Sequence, residues 1–206
     1  YLDWKTSGEA GIAVRSIPQI GLGIEGGSGT LLGNKVNVSK PLLNADNQKG
    51  EWNTLYVKVV DDRVTVVLNG QMVTRNVILE NSCQPDSPAF IKGKIELMGE
   101  GAPVEFRDLY IRELPPTPVY TLSPEEKKEG FQMLFDGTSL HKWTGNTFSY
   151  ITENGTVYVE AGYGSGGNLY TKKEYSDFVL RFEFCFEREG VNNGIGIRTP
   201  MGVDAA

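Results

Sequence analysis

The sequence is poor in the residues that most often build metal centres and covalent cross-links. It has two cysteines, Cys83 and Cys185, which allow at most one internal disulfide and exclude a disulfide scaffold. Its single histidine, His141, excludes any site that needs two imidazoles, such as the helix of a zinc protease. No run approaches the roughly 18 consecutive apolar residues of a membrane-spanning helix, so membrane insertion is not expected.

Positive charge is also scarce. Across 206 residues, 20 Lys and Arg stand against 26 Asp and Glu, which leaves a net charge of −6, and the basic residues form no cluster. This balance excludes nucleic acid or an anionic membrane as the main partner. Hydrophobic residues at 39% and charged residues at 22% are typical of a globular protein and exclude wholesale disorder.

Glycine, in contrast, is abundant, and many of the 25 glycines lie in pairs or short runs between β-type segments. This pattern is typical of an antiparallel, all-β protein with many turns. The segment 52–77 shows it best. Asp61-Asp62 predicts a turn between two alternating strands, Asn69-Gly70 predicts a type I′ turn because both residues tolerate positive φ, and Gln71–Val77 would be the next strand.

Three further local signals lie between residues 94 and 130. Lys94–Met98 and Val104–Arg112 are predicted to pair as strands around Gly99–Gly101. The apolar residues of the second strand cannot share one face without a bulge, which we expect near Arg107-Asp108. Ser123, followed by proline and two glutamates, predicts a short helix that ends by Gly130.

The clearest alternation in the chain runs from Asp177 to Glu187. It predicts a strand with one buried face. The residues of that face are Phe178, Leu180, Phe182, Phe184 and Phe186.

The two ends of the sequence resemble each other. Tyr1–Lys5 followed by Gly11-Ile-x-x-Arg15 and a proline has a counterpart in Leu180–Phe184 followed by Gly194-Ile-x-x-Arg198 and a proline. The second glycine follows the first by 183 residues, a plausible length for one β domain. The chain therefore spans slightly more than one repeat, although a chance match of two short strands would give the same pattern.

A proline-rich stretch separates the two parts. We divide the chain into residues 1–114, the rear of one domain; 115–130, a stiff linker and the short helix; and 131–206, the front of a second domain. Three arrangements stay open. The parts pack as one permuted sandwich, they exchange between the chains of a homodimer, or flanking sequence completes each of them.

The motifs of both parts resemble a known family. Phe131–Trp143, with Leu-Phe-Asp-Gly-Thr-Ser-Leu at its centre, is similar to the opening of the 3-keto-disaccharide hydrolase (DUF1080) domain, and Gly166–Phe184 and Asn192–Arg198 continue it. Three segments of the first part resemble the rear of the same domain, namely Gly50–Asn53, Leu68–Gly70 and Val104–Leu114. The resemblance implies a concanavalin A-like jelly-roll sandwich of antiparallel sheets, permuted or completed by a partner chain. It also implies export to the periplasm or envelope of a bacterium.

The activity implied by this resemblance is cleavage of glycosides already oxidised at the sugar 3-position. A 3-ketone acidifies the C2 proton, so a base removes that proton, the glycosidic oxygen leaves, and water adds to the resulting double bond. This chemistry needs a base near C2 and a cationic or metal group on the developing enolate. The partner expected is a saccharide. No cofactor or metal site is predicted, although the chemistry leaves room for a divalent metal.

Three residues are candidates for catalysis. Arg15 and Arg198 occupy equivalent points of the two copies, where a guanidinium would bind sugar hydroxyls or an enolate; an inter-strand ion pair is the alternative. Glu100 would act as a base or metal ligand. Many relatives carry a histidine near this position, and the absence of that histidine here weakens a histidine-based mechanism for this part of the chain. The alternative is that Glu100 is an exposed turn residue with no role in catalysis.

Three more residues are candidates for binding the sugar. Glu96 and Glu183 would line the concave sheet, unless they face solvent. Trp52 would stack on a sugar ring, unless, like Trp143, it packs in the core. His141 is expected to be a surface residue, since no carboxylate partner for it can be placed from the sequence.

The function therefore has two main interpretations. One is an enzyme that cleaves 3-keto-glycosides. The alternative is a non-catalytic, lectin-like carbohydrate-binding module, favoured by the absence of an identifiable acid–base pair. A structural domain that docks a neighbouring repeat is a third, weaker interpretation.

Overall fold

The computed structural model of the protein describes residues 1–15, 19–35, 39–84, 87, 89–159, 167–186, 189–190 and 193–202; for Glu100 it describes the backbone alone. These residues form an all-β fold of antiparallel strands, as predicted, with one short helix. The elements are β1 (Leu2–Thr6), β2 (Glu9–Val14), β3 (Gln19–Leu22), β4 (Asn53–Val60), β5 (Arg63–Leu68), β6 (Gln71–Ile78), β7 (Ile95–Glu100), β8 (Val104–Arg107), α1 (Pro124–Lys128), β9 (Trp143–Gly145), β10 (Tyr150–Glu153), β11 (Thr156–Val159) and β12 (Leu169–Thr171).

The strands are arranged as a sandwich with two small additional ladders. One face is a five-stranded sheet in the order β6-β5-β4-β1-β8, and the other is a three-stranded sheet in the order β3-β2-β7. The ladders β10–β11 and β12–β9 lie apart from these sheets. No helix in the described ranges has the length or the apolar content needed to cross a bilayer.

The core fills the space between the two sheets. Trp4 of β1 is 2% exposed, and the inner faces of both sheets contribute to one continuous apolar cluster. The buried members of that cluster all lie between residues 2 and 89, and among the described residues after the linker only the half-buried Phe148 is added. The hydrophobic free energy that holds the sandwich together therefore comes mainly from the first part of the chain.

The predicted turns of the five-stranded sheet are confirmed. Asp61-Asp62 connects β4 to β5, and Asn69-Gly70 connects β5 to β6 with φ values of 50° and 80°. The Asn69 side chain stabilises its turn by accepting a hydrogen bond from the Thr54 backbone N–H at 2.8 Å and donating one to the Ala45 carbonyl at 2.8 Å.

The pairing predicted for β7 and β8 is wrong, because the two strands belong to different sheets. β7 pairs with β2, whereas β8 pairs with β1, so the turn between them crosses from one sheet to the other. The bulge predicted at Arg107-Asp108 is confirmed. Asp3 lies opposite Arg107, yet Tyr1 exchanges backbone hydrogen bonds with Tyr110, which leaves one extra residue on the β8 side.

The predicted helix is also confirmed. Ser123 caps α1 by accepting a hydrogen bond from the Glu126 backbone N–H at 3.1 Å, and the Glu126 carboxylate accepts one from the Ser123 N–H at 2.7 Å. This reciprocal pair satisfies backbone donors that a helix start leaves open.

The predicted strand at 177–187 has no partner strand in the described residues. Its phenylalanines lie on one side, with neighbouring ring centroids 6.0 Å and 5.5 Å apart for Phe182–Phe184 and Phe184–Phe186, but that side is exposed rather than buried. The physical reason is that its counterpart, β1, already lies between β4 and β8. Glu187, and Pro18 and Asn192 of the repeat, lie outside the described residues.

Candidate functional site

The two parts of the chain meet at the turn between β4 and β5. Arg63, the first residue of β5, is buried, and its guanidinium donates hydrogen bonds to three carbonyls: Asn76 at 3.1 Å, Thr147 at 3.0 Å and Tyr150 at 3.1 Å. The first belongs to β6, the second lies just before β10, and the third is the first residue of β10. Arg63 therefore ties the front part to the five-stranded sheet.

Asp62 is buried beside this arginine. Its Oδ1 lies 3.5 Å from Arg63 Nε, and its backbone carbonyl accepts a hydrogen bond from the Leu79 N–H at 2.7 Å. Burial raises the pKa of Asp62 to about 6, although the Arg63 charge and a hydrogen bond with Ser139 favour the ionised form. A buried carboxyl group with this pKa changes its charge near neutral pH.

Ser139 connects Asp62 to the histidine of the chain. Its Oγ lies 2.8 Å from His141 Nδ1 and also accepts a hydrogen bond from the His141 backbone N–H at 3.0 Å. Burial lowers the pKa of His141, the Lys142 charge lowers it further, and the charge of Asp136 opposes both. The imidazole is therefore mostly neutral at pH 7, as a general base must be.

Asp136 is held as a carboxylate close to this histidine. Burial opposes its ionisation, but hydrogen bonds from Thr138 and Ser139 and the charge of His141 lower its pKa below the ordinary value. Thr138 donates two of these bonds, from its backbone N–H at 2.9 Å and from its hydroxyl at 2.8 Å.

A cavity of about 320 Å³ opens beside His141. This volume lies at the lower end of the range for small-molecule sites. The walls combine two lysines with apolar and aromatic groups from the linker, α1 and the loop before β9. The polar lining residues are Thr121, Lys127, Asp136, Ser139, His141 and Lys142, and the larger apolar ones include Tyr120, Leu122 and Leu134.

Arg15, one of the predicted catalytic residues, lies at the same junction but points to backbone oxygens. It follows β2 with a φ of 55°, and its Nη1 donates to the Asp61 carbonyl and, at 3.4 Å, to the Phe90 carbonyl. Burial lowers the pKa of Arg15, with Asp61 and Asp62 acting in the opposite direction. Arg15 does not line the cavity.

The other residues predicted in the first part lie on the two sheets. Glu96 and Glu100 belong to β7, opposite Ala13 and Glu9; Glu96 is exposed, and the Glu100 side chain lies outside the described structure. Trp52 is half-buried just before β4, with the Arg107 guanidinium 3.9 Å and Lys5 Nζ 4.9 Å from its ring centroid. The ring is therefore already engaged by two cations of the same chain, which compete with a stacked sugar.

Glu183 and Arg198 lie in the exposed segment after β12. The Arg198 Nη2 donates to the Ser176 carbonyl at 2.6 Å and to Asp177 Oδ1 at 3.1 Å, and its φ of 58° matches that of Arg15. The six predicted residues are thus spread over separate places, and none of the five whose side chains are described lines the cavity.

Sequence reasoning therefore missed the cluster that the fold brings together, which is Asp62, Ser139 and His141. Ser139-Leu140-His141 is a visible local signal, but the contact with Asp62 spans 77 positions of the sequence. Among the described residues, no three His, Cys, Asp or Glu side chains are grouped closely enough to hold a metal ion. Cys83 and Cys185 are both unpaired and exposed.

Comparison with known proteins identifies one family. The model of the 3-keto-alpha-glucoside-1,2-lyase-like domain matches residues 1–112 and 130–205. A crystal structure from Parabacteroides distasonis ATCC 8503, described as "Putative glycosyl hydrolase", is similar at 22% identity and a TM-score of 0.40, over 55% of this chain and 76% of that one. No curated protein matches.

Proposed function

We propose that this chain, which belongs to the 3-keto-alpha-glucoside-1,2-lyase-like family, cleaves glycosides whose sugar is oxidised at position 3. The family match over both parts of the chain carries this proposal. The cavity beside His141 supports it, because it combines a neutral imidazole with two lysines, Lys127 and Lys142. A setting in the bacterial envelope or periplasm is part of the proposal and rests on the family resemblance.

The first proposed step is removal of the C2 proton by His141. When Asp62 is ionised, the Ser139 hydroxyl donates to it, so His141 Nδ1–H donates to Ser139 Oγ and the Nε2 lone pair is left free. Nε2 takes the proton, and the electron pair of the C2–H bond moves into the enolate of the 3-ketone. The ammonium groups of Lys127 and Lys142 stabilise the negative charge on the enolate oxygen.

The second step breaks the bond between C1 and the glycosidic oxygen. The enolate electrons form a C1–C2 double bond, and the departing oxygen takes a proton, for which protonated His141 is the donor. Water then adds across the double bond, with its oxygen on C1 and its proton on C2. This reaction does not need a pair of carboxylic acid side chains at the glycosidic bond, whereas an ordinary glycosidase uses two.

The direct test is release of the leaving sugar from a 3-keto-glucoside or 3-keto-lactose. We expect turnover by the wild type, and a loss of about 100-fold or more in kcat for H141Q, which is the contribution of a general base. Because Lys127 and Lys128 are adjacent on α1 but only Lys127 lines the cavity, K127Q should lower kcat while K128Q serves as the matched control. A parallel assay in the presence of a chelator tests whether turnover depends on a divalent metal.

Two results would contradict the proposal. Saturable sugar binding without release in any variant would favour the lectin-like module instead. Turnover that is unchanged in H141Q would keep the family activity but move the site away from this cavity, to the sheet that carries Arg15, Glu96 and Glu100.

A further inference from the structure

The sandwich is open at one side, where β7 and β8 lie at the edges of their sheets. A Cβ on Gly99 would lie 2.7 Å from Val104 Cγ1, so β7 and β8 face each other there. Ile95 and Leu97 share a face of the three-stranded sheet with the core residues Val14 and Ile12, yet they are 57% and 40% exposed. Two core-facing side chains are thus left without a covering layer from the described part of the chain.

The β8 edge beside this opening is able to accept another strand. β8 pairs with β1 on one side and is the last strand of the five-stranded sheet in the described part of the chain. Val104 and Phe106 pack only partly against the core, and Glu105 and Arg107 alternate with them on the outer face. A strand with an apolar face and an opposite face of mixed charge would fit this edge.

The segment 177–186, which we call the Phe segment, has these properties. Phe184 is 73% exposed, and its ring lies next to those of Phe182 and Phe186 on one side of the extended chain. Arg181 and Glu183 alternate with the phenylalanines, and in the antiparallel register that β1 has with β8, Glu183 takes the place of Asp3 opposite Arg107, as an oppositely charged cross-strand pair.

The burial pattern of β1 shows how such a segment fits next to β8. Leu2, Trp4 and Thr6 are buried in β1, while Asp3 lies opposite Arg107. Matching Asp3 to Glu183, which moves the pairing of Tyr1–Lys5 with Leu180–Phe184 by one position, places Phe182, Phe184 and Phe186 at the positions of the buried residues, 180 residues later. The Phe segment thus has the same apolar alternation as the strand that β8 already binds on its other side.

The segment of the same chain is held elsewhere. Arg63 fixes the front part to β5 and β6, at the opposite end of the sheet from β8 and about 14 Å away by strand spacing. Arg181 forms an ion pair with Glu126 of α1, and its guanidinium lies 5.3 Å from the Phe131 ring centroid. The Phe segment is therefore held beside α1 and Phe131, and in the described residues it does not pair with β8 of its own chain.

We propose that the Phe segment of one chain adds to the β8 edge of a second copy, covering Ile95 and Leu97, and that the exchange is reciprocal. The product is a closed, two-fold symmetric dimer in which each chain completes the open side of its partner's sandwich. Each contact buries phenylalanine side chains that are exposed in the single chain.

The test is the oligomeric state of the full chain, measured by light scattering and sedimentation over a concentration series. We expect a dimer whose Kd rises about thirtyfold or more in F184D, the size of an interface hot spot. V179D is the matched control, because Val179 lies on the opposite face of the same segment and is 78% exposed, so this variant should still form the dimer. Circular dichroism checks that each variant is folded.

A complementation experiment identifies the acceptor. F184D has an intact β7–β8 opening, and I95D has an intact Phe segment, so each alone should be monomeric and their mixture should form a heterodimer with one intact contact. A monomeric wild type, an F184D dimer of unchanged Kd, or variants that fail to associate when mixed would each overturn the proposal. Pairing of two Phe segments with each other would instead leave I95D dimeric on its own, which would also overturn the proposal.

Discussion

The buried carboxyl group of Asp62 makes the stability of the protein depend on pH in a defined direction. Its pKa in the folded chain is about 6, against 3.8 for an ordinary aspartate. Because the folded state holds the proton more tightly, the stabilisation is fully present below pH 3.8 and is lost as the pH rises to about 6. Two pH units correspond to about 3 kcal/mol of unfolding free energy.

The variant D62N removes this titration while keeping a side chain that can hydrogen-bond Ser139. We expect the difference in unfolding free energy between D62N and the wild type to move by about 2.5 kcal/mol in favour of D62N between pH 4 and pH 7. Urea unfolding, followed by tryptophan fluorescence at closely spaced pH values, measures this difference. D46N, at a half-buried aspartate elsewhere in the first part, is the control. Parallel pH profiles for D62N and the wild type would refute the reasoning.

Two further predictions concern single side chains. R63M should lower the unfolding free energy by about 3–5 kcal/mol at pH 7, since it leaves Asp62 as an unpaired buried charge. In R63M, amide hydrogen exchange should speed up most in residues 147–153. The control R112M, at an exposed arginine, should leave the unfolding free energy nearly unchanged. G93A should be destabilising, because its Cβ would lie 2.6 Å from the Arg15 carbonyl carbon, whereas G194A, with nothing within 4 Å, should be neutral in thermal unfolding.

Features that depend on a few neighbouring residues could be predicted from the sequence. The Asn69-Gly70 turn needs positive φ at two adjacent positions, and the α1 cap needs a serine three residues before a glutamate, so each signal is complete within four residues. The bulge at Asp108 followed from the order of apolar residues in a single strand. None of these features depends on what a distant part of the chain is doing.

Features that depend on which places in the fold are already taken could not be predicted. Alternation at 177–186 identifies a segment able to form a strand, but not that β1 already fills the position between β4 and β8. In the same way, β7 and β8 read as a hairpin because a short turn joins them, while their sheet membership is decided by pairing with β2 and β1.

The candidate site combines a local sequence signal with a contact between distant parts of the chain. The sequence predicts a surface residue at His141 because it does not place a carboxylate partner for the imidazole. Asp62, which we propose sets its tautomer through Ser139, comes from the β4–β5 turn of the other part of the chain. Such a contact is visible only once the two parts are packed together.

This arrangement links the proposed catalysis to the assembly of the two parts. The cavity walls lie within residues 119–142, so a chain in which the parts separate keeps the pocket and both lysines. It loses Asp62, and without that carboxylate Ser139 has no fixed acceptor and His141 Nε2 is no longer kept free. Loosening the junction through R63M should therefore lower kcat more than it weakens sugar binding, whereas damage to the pocket itself would weaken both.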